Sequence, residues 1–119
     1  MFLVESMRSK ILALSKNEDF KSLLNQKKIS NKYVTIFFGN LTNKNSQKLN
    51  ISFVVKKKIG NAVKRNKIKR RLRNIVNEAI KKMPLNFKFS YLVIAKSTML
   101  SNEYTNMKDI LFEELKKIK

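Results

Sequence analysis

A single stretch of the chain concentrates side chains that can bind phosphate. From Lys57 to Arg73 it reads KKIGNAVKRNKIKRRLR, with nine cationic side chains and no acidic one. Four of the five arginines of the chain lie within it, although lysine outnumbers arginine 22 to 5 overall. A guanidinium binds phosphate oxygens through two parallel hydrogen bonds and stacks on bases, whereas an ammonium is a point charge. The segment therefore predicts a surface that binds a polyanion.

The same stretch has the pattern of a packed helix. After a turn at Gly60 and Asn61, apolar residues recur at helical spacing until Pro84 ends the pattern. These apolar positions are Ile68, Leu72, Ile75, Val76, Ala79 and Met83. At 100° per residue, a polar ridge falls on the opposite side, and it comprises Asn66, Arg70, Arg73 and Asn77. We predict that one face of the helix packs on a sheet while the other presents cations and amides. Arg65 has an azimuth on the apolar side, so we expect either that it projects past the edge of the core at the helix start or that the helix begins later.

Composition points to nucleic acid as the partner. The formal net charge is +19, and no acidic residue lies between Phe20 and Asn77. An anionic membrane would call for aromatic anchors beside the basic helix, and the basic segment has none. The chain lacks cysteine and histidine, so it has no disulfide, no thiolate metal site and no histidine base. We expect a cytoplasmic protein, because the N-terminus has no signal-peptide pattern and no stretch is long and apolar enough to span a membrane.

The elements that must position the basic helix indicate an α+β fold. Ser15 and Glu18 have capping-box spacing and predict a first helix that runs to about Lys27. β-branched and aromatic runs predict three clear strands, and a short additional strand is placed near Ile29. The three strands cover 32–38, 50–57 and 87–96. A C-terminal helix carries one apolar side, formed by Tyr104, Met107, Leu111, Leu115 and Ile118. We treat 1–119 as a single RNA-binding domain, with 1–13 as an extension of no assigned role.

The basic segment resembles the RNR signature of the bacterial ribonuclease P protein family. That signature runs K-x-x-G-x-A-V-x-R-N-x-x-K-R-x-x-R and is matched throughout 57–73. LSKNEDF at 14–20 is similar to the start of the family's first helix, and YLVIAK at 91–96 is similar to its last strand. The resemblance implies a small two-layer sandwich of a four-stranded sheet and three helices. The implied order is α-β-β-β-α-β-α, with a short first strand and a left-handed β-α-β crossover.

The family resemblance also implies a function in which the protein is not the catalyst. A large RNA holds the active site, where Mg²⁺ ions activate water to remove the 5′ leader of precursor tRNA. The expected partners are this catalytic RNA and the leader, with a protein monomer in a 1:1 particle and with neither DNA nor membrane involved. No catalytic residue and no metal site is expected on the protein, and Mg²⁺ is expected to be held mainly by the RNA.

Two sets of site residues are predicted, and the first follows from the resemblance by position. The set that binds the catalytic RNA comprises Lys57, Lys58, Asn61, Arg65, Asn66, Lys69, Arg70 and Arg73. The resemblance also implies a set that binds the leader in a cleft between the first helix and the sheet, and it carries over Phe20 and Leu24 by position. If Ile51, Phe53 and Val55 face the basic helix, strand alternation turns Ser52, Val54 and Lys56 toward this cleft. Tyr33 and Lys96 are expected to border it. Leu24 stands where the family often has a second aromatic, and an aliphatic side chain offers no π face to a base.

Three other functions fit parts of the pattern. A structural RNA-binding protein of ribosomal type shares the charge and the size, but it would not discriminate precursor from mature tRNA. A DNA-binding regulator would need a helix and a short turn before the basic helix, whereas a strand precedes it. A nuclease made of protein alone should cut RNA in Mg²⁺ without an RNA partner.

Overall fold

The structure, a computed structural model, describes residues 11–14, 16–41, 44, 47–101 and 103–118. Three helices are present in these ranges: α1 (Asn17–Leu24), α2 (Ala62–Lys82) and α3 (Tyr104–Lys117). Five strands accompany them: β1 (Ile11–Leu12), β2 (Lys27–Ser30), β3 (Val34–Asn40), β4 (Leu49–Val54) and β5 (Phe89–Ala95). Short 3₁₀ turns at Lys57–Ile59 and Ser97–Leu100 precede α2 and α3, respectively. The predicted α+β class is confirmed.

The strands form one mixed sheet in the order β1-β4-β5-β3-β2. β3 pairs antiparallel with both β2 and β5, whereas β4 pairs parallel with β5 and with β1. Adjacent parallel strands cannot be joined by a hairpin, so the chain crosses from β4 to β5 through α2. The basic helix is therefore the crossover element, and the handedness of this crossover stays a prediction.

The expected four-stranded sheet has a fifth strand. β1 lies in the N-terminal extension, and Ile11 and Leu12 pair with Leu49 and Asn50 at the edge of the sheet. A two-residue strand is shorter than the four to eight residues that strand patterns require. Its pairing depends on an edge supplied by a strand about 40 residues later, so the local sequence carries no signal for it.

The main core lies between the sheet and the helices α2 and α3. Alternate residues of the strands point into it, as with Ile51 in β4 and Val93 in β5, and Met107 and Leu111 of α3 close it. The opposite face of the sheet carries a smaller cluster around Leu23 of α1. Helices thus lie on both faces, and the expected two layers are accompanied by a partial third layer. α1 has only eight residues, and this length is the reason that its face of the sheet remains partly open.

The first helix is shorter than its sequence pattern predicts. It begins after Lys16, which caps it without a side-chain hydrogen bond, and it ends at Leu24. Ser15, the predicted cap, lies outside the described residues. Lys27–Ser30 pairs along its whole length with β3, so the ladder hydrogen bonds of a neighbouring strand override local helix propensity there. The short strand predicted near Ile29 is confirmed. Within the described ranges, no helix has the length and apolarity needed to cross a bilayer.

Candidate nucleic-acid interface

The start of α2 is fixed by its cap. Asn61 has extended backbone angles, and its side-chain Oδ1 accepts a hydrogen bond from the Lys64 backbone N–H at 3.0 Å. This bond satisfies one of the free N–H groups of the first turn. The preceding Gly60 also approaches Lys64 closely, because a Cβ there would lie 3.0 Å from its Cδ. Part of the Asn61 amide is thus engaged in capping, while the residue as a whole is exposed.

The two faces of α2 differ as predicted. Ile68, Leu72, Ile75, Val76 and Ala79 are buried on the sheet. On the opposite side, the ridge residues Asn66, Arg70 and Arg73 are exposed, and Asn77 is half-buried. Helical geometry explains this, since residues three and four positions apart share one side of the cylinder. The helix thus presents a row of amide and guanidinium groups away from the core.

The remaining members of the predicted RNA-binding set flank this ridge. Lys57 and Lys58 are exposed on the 3₁₀ turn before α2, and Lys69 is half-buried beside the ridge. Arg65 is half-buried, as its azimuth required, and its buried Nε has no hydrogen-bond partner among the described residues. All eight positions therefore lie on α2 or on the turn that leads into it.

Arg71 has a different role from its arginine neighbours. It is half-buried, and its Nη1 donates hydrogen bonds to the backbone carbonyls of Met99 at 3.1 Å and Ser101 at 2.8 Å. The guanidinium therefore fastens the β5–α3 connection to α2. The helical period places Arg70 on the ridge and leaves Arg71 out of the predicted RNA-binding set. It gives no sign of the partners of Arg71, which lie 28 and 30 positions further along the chain.

The cleft between α1 and the sheet brings together part of the predicted leader-binding set. Phe20 of α1 and Val54 of β4 are both half-buried in the cluster around Leu23. Ser52 is buried on the same face, where its Oγ accepts from the Leu14 N–H at 2.8 Å and lies 3.3 Å from the Leu14 carbonyl oxygen. Leu24 is 48% exposed at the end of α1.

Tyr33 does not line this cleft, which corrects the prediction. The side chain is fully buried in the core under α2 and α3, and its hydroxyl donates to Glu103 Oε1 at 3.2 Å. The reason is a turn in which Asn31 Oδ1 accepts hydrogen bonds from the N–H groups of Tyr33 and Val34, at 2.8 and 3.0 Å. This turn precedes β3, so strand alternation cannot be extended back to Tyr33.

Two cleft residues were missed by sequence reasoning. Phe37 packs against the α1 cluster, and Thr35 lines a groove beside Lys56 and Lys96. Their alternation with the buried residues of β3 was the available signal, since every second residue of a strand shares a face. Phe37 adds an aromatic side chain to the cleft, where Leu24 lacks one.

Two open grooves connect these residues. The first, of about 590 Å³, is lined by Lys56, Lys58 and Lys96 over a floor that includes Ile94. Lys96 Nζ also donates to Ser30 Oγ at 2.9 Å, which holds that amine at the rim.

The second groove, of about 390 Å³, runs along β4, where β4 extends past its short pairing with β1. Phe20 lies on one side of this groove, and Lys69 and Arg73 of α2 lie on the other. The two predicted sets of site residues therefore meet at this edge of the sheet.

The described acidic side chains lie largely in ion pairs or at the ends of helices. Asp19 pairs with Lys44, and Glu78 pairs with Lys108. The hydrogen bond from the Tyr33 hydroxyl, together with the charge of Lys32, lowers the pKa of Glu103. In the part of the chain that the structure describes, no group of three acidic side chains is placed to hold a metal ion.

Comparison with known proteins identifies the family. The family model named Ribonuclease P matches residues 9–119, which is nearly the whole chain. The chain belongs to the ribonuclease P protein family. Among curated relatives, the ribonuclease P protein component of Mesoplasma florum is 31% identical over 98 residues, covering 82% of this chain and 86% of its own. That of Mycoplasma capricolum is 30% identical over 106 residues, covering 89% and 94%, respectively.

Solved structures of the family have the same fold. The ribonuclease P protein from Thermotoga maritima superposes with a TM-score of 0.75 at 25% identity, covering 91% of this chain and 98% of its own. That from Staphylococcus aureus gives a TM-score of 0.71 at 26% identity, covering 88% and 92%. Family membership places the chain among RNA-binding proteins of tRNA processing, as a protein component of ribonuclease P.

Proposed function

We propose that the chain is the protein subunit that helps a catalytic ribonuclease P RNA remove the 5′ leader from precursor tRNA. The observation that carries the proposal is the exposed ridge of α2, set opposite its buried stripe, in a chain of this family. In this proposal the catalytic RNA binds the ridge and the turn before it, and the leader binds the cleft between α1 and the sheet. Cleavage itself is carried out by the RNA.

The basic face of α2 is proposed to act through phosphate neutralisation. The catalytic RNA and its substrate are both polyanions, and cations placed at their junction reduce the repulsion between them. Each phosphate that is neutralised also releases condensed counterions, which favours binding at low salt. Arg70 and Arg73 are exposed and carry forked donors, so they suit phosphate oxygens better than lysines would.

The cleft is proposed to hold the leader as a single strand. Single-strand sites combine aromatic stacking platforms with cations that follow the backbone. Phe20 and Phe37 supply half-buried rings, and Lys56 and Lys96 line the adjoining groove. Because mature tRNA lacks the leader, this contact would favour binding of precursor tRNA over binding of mature tRNA.

Mg²⁺ is proposed to be held mainly by the RNA. The protein would raise Mg²⁺ occupancy indirectly by stabilising the folded RNA. We further propose a cytoplasmic 1:1 particle with one protein monomer, and with neither DNA nor a membrane as partner.

Reconstitution tests this function. A bacterial ribonuclease P RNA is incubated with precursor tRNA at low Mg²⁺, with and without the protein, and correct 5′ cleavage is measured. We expect the protein to stimulate cleavage and to bind precursor more tightly than mature tRNA in the complex. RNA binding without stimulation or discrimination would favour the ribosomal-type alternative, and cleavage by the protein alone would indicate a protein nuclease.

Salt dependence provides a second test of the phosphate contacts. If roughly 6–10 phosphates are contacted, affinity for the RNA should fall about 10³–10⁵-fold between roughly 50 and 200 mM salt. A flat dependence would contradict a binding surface built from the α2 cations.

A further inference from the structure

A small pocket lies on the flank of α2 that faces away from the leader cleft. We call it the flank pocket; it has a volume of about 200 Å³. Its lining comprises Lys64, Lys67, Ile68, Arg71, Met99 and Leu100. None of these residues belongs to the two predicted sets of site residues. The pocket is formed where the 3₁₀ turn after β5 packs against the helix.

The chemistry of the flank pocket is apolar inside and cationic at the rim. Ile68 and Met99 are buried and form its base, while Leu100 is 40% exposed and forms a wall. Lys64 and Lys67 are exposed beside it. Glu103, three residues beyond Leu100, is already bound by Tyr33 and Ser101. The pocket therefore suits a flat apolar group that is attached to negative charge.

The pocket is continuous with the proposed RNA-binding ridge. At 100° per residue, the order around α2 runs from Arg70 through Val63 and Lys67 to Arg71. Val63 is 77% exposed, although it is an apolar residue in a basic segment. Lys69 and Arg73 lie on the other flank, where the groove along β4 begins. An RNA lying on the ridge would thus reach the flank pocket on the side opposite to the leader.

Arg71 builds the wall of this pocket. Its two hydrogen bonds to the Met99 and Ser101 carbonyls hold the segment that carries Leu100 against α2. Thr98 Oγ1 holds the same segment from the other side by donating to the Lys32 carbonyl at 2.5 Å. A wall fastened at both ends can receive a ligand without first becoming ordered, which lowers the entropic cost of binding.

We propose that the flank pocket binds one unpaired nucleobase of the catalytic RNA. Drug-sized ligands occupy pockets of roughly 300–1,000 Å³, so about 200 Å³ fits a single ring system rather than a whole nucleotide. Proteins recognise unpaired bases that are splayed out of RNA by stacking them on aromatic side chains or guanidinium planes, and Arg71 lines this pocket. The lysines at the rim match the phosphates on either side of such a base. This inference rests on the proposed function and adds a base contact to its phosphate contacts.

Leu100→Ala tests the proposal, with Leu12→Ala as the matched control. Both leucines are 40% exposed, but Leu12 lies on β1 at an edge strand of the sheet. Removing the apolar wall should weaken binding to the catalytic RNA about fivefold, from the lost apolar contact area. The salt dependence should stay as in the wild type, because no phosphate contact is removed. The control should bind like the wild type, and thermal unfolding should show both variants folded.

Two results would overturn the inference. In one, Leu100→Ala binds the RNA as tightly as the wild type or no more weakly than Leu12→Ala. In the other, its loss of affinity comes with a smaller salt slope, which indicates a phosphate contact instead of a base contact. Failure of the wild type to bind the RNA or to stimulate cleavage would contradict the proposed function itself, so the two failures are distinguishable.

Cross-linking identifies the occupant directly. The chain has no cysteine, so Leu100→Cys provides a unique attachment point for a photoreactive aryl azide. With the catalytic RNA alone, we expect cross-links to an unpaired nucleotide, and Leu12→Cys should not give the same product. Cross-links that form only when precursor tRNA is present would assign the pocket to the substrate and overturn the proposal. Cross-links confined to base-paired segments, or none at all, would do the same.

Discussion

Replacing Arg71 by methionine distinguishes an arginine that stabilises the fold from an arginine of the same helix that is proposed to bind RNA. Arg71 and Arg70 are neighbours in the RNR segment, but Arg71 is half-buried and bonded to Met99 and Ser101, whereas Arg70 is exposed. Methionine keeps much of the apolar stem and removes the guanidinium. Arg70→Met is the matched control, because each variant removes one positive charge from the same helix. The chain has a net charge of +19, and the two variants therefore reduce the repulsion among its positive charges by the same amount.

The magnitude follows from the two hydrogen bonds. Hydrogen bonds to charged groups contribute about 1.5–3 kcal/mol each when buried. Arg71 keeps partial access to water, so we discount the pair to about 1–3 kcal/mol in the free energy of unfolding. For a chain of this size, 1 kcal/mol corresponds to a change of about 3–5 °C in Tm. Arg70→Met should stay within about 0.5 kcal/mol of the wild type, as exposed substitutions usually do.

Thermal and urea unfolding, followed by circular dichroism, measure this difference, and RNA titrations at several salt concentrations complete the test. Arg71→Met should lower Tm while leaving the salt slope of RNA binding unchanged. Arg70→Met should keep Tm and reduce the slope by about one, since one phosphate contact is lost. Equal Tm values for the two variants would refute the structural role of Arg71. A reduced slope for Arg71→Met would show that its guanidinium binds phosphate instead.

Three further predictions concern the ridge, the cleft and the hydrogen bond between Tyr33 and Glu103. Arg70→Lys keeps the charge but removes the planar fork, so affinity for the catalytic RNA should fall severalfold; equal affinity would contradict two-bond recognition of phosphate. Phe20→Leu removes an aromatic face from the cleft and should reduce the preference for precursor over mature tRNA, by up to about tenfold if a base stacks there, while binding of the RNA subunit alone stays unchanged. Folding lowers the pKa of the Glu103 carboxyl below its ordinary value. The ionised carboxylate therefore stabilises the fold at pH values above the ordinary pKa of a glutamate, and this stabilisation is lost as pH falls through the lowered pKa. In urea unfolding, wild type should therefore exceed Glu103→Gln in stability near neutral pH, and the gap should narrow in acid; a gap that widens on acidification would show that the sign is wrong.

The cleft illustrates the limit of strand periodicity. Alternation along β4 was sufficient to place Ser52 and Val54 on the face opposite to Ile51, because a strand fixes the side of every second residue. Tyr33 was expected to border the cleft, but it lies in the core, since the turn capped by Asn31 interrupts the alternation before β3 begins. Phe37 was not predicted, although the alternation of β3 places it on the cleft face.

The sequence by itself determined the polyanion partner, the family and the side of α2 that faces solvent. These properties depend on composition and on a helical period of 100° per residue, which the backbone sets locally. Only the tertiary structure decided that Arg71 hydrogen-bonds to the β5–α3 connection, because the carbonyls that bind Arg71 belong to residues 28 and 30 positions away. It also decided that Ile11 and Leu12 add a strand and that the two predicted surfaces meet along β4. Such contacts depend on which distant segments the fold brings together, and local patterns of residue type do not specify this.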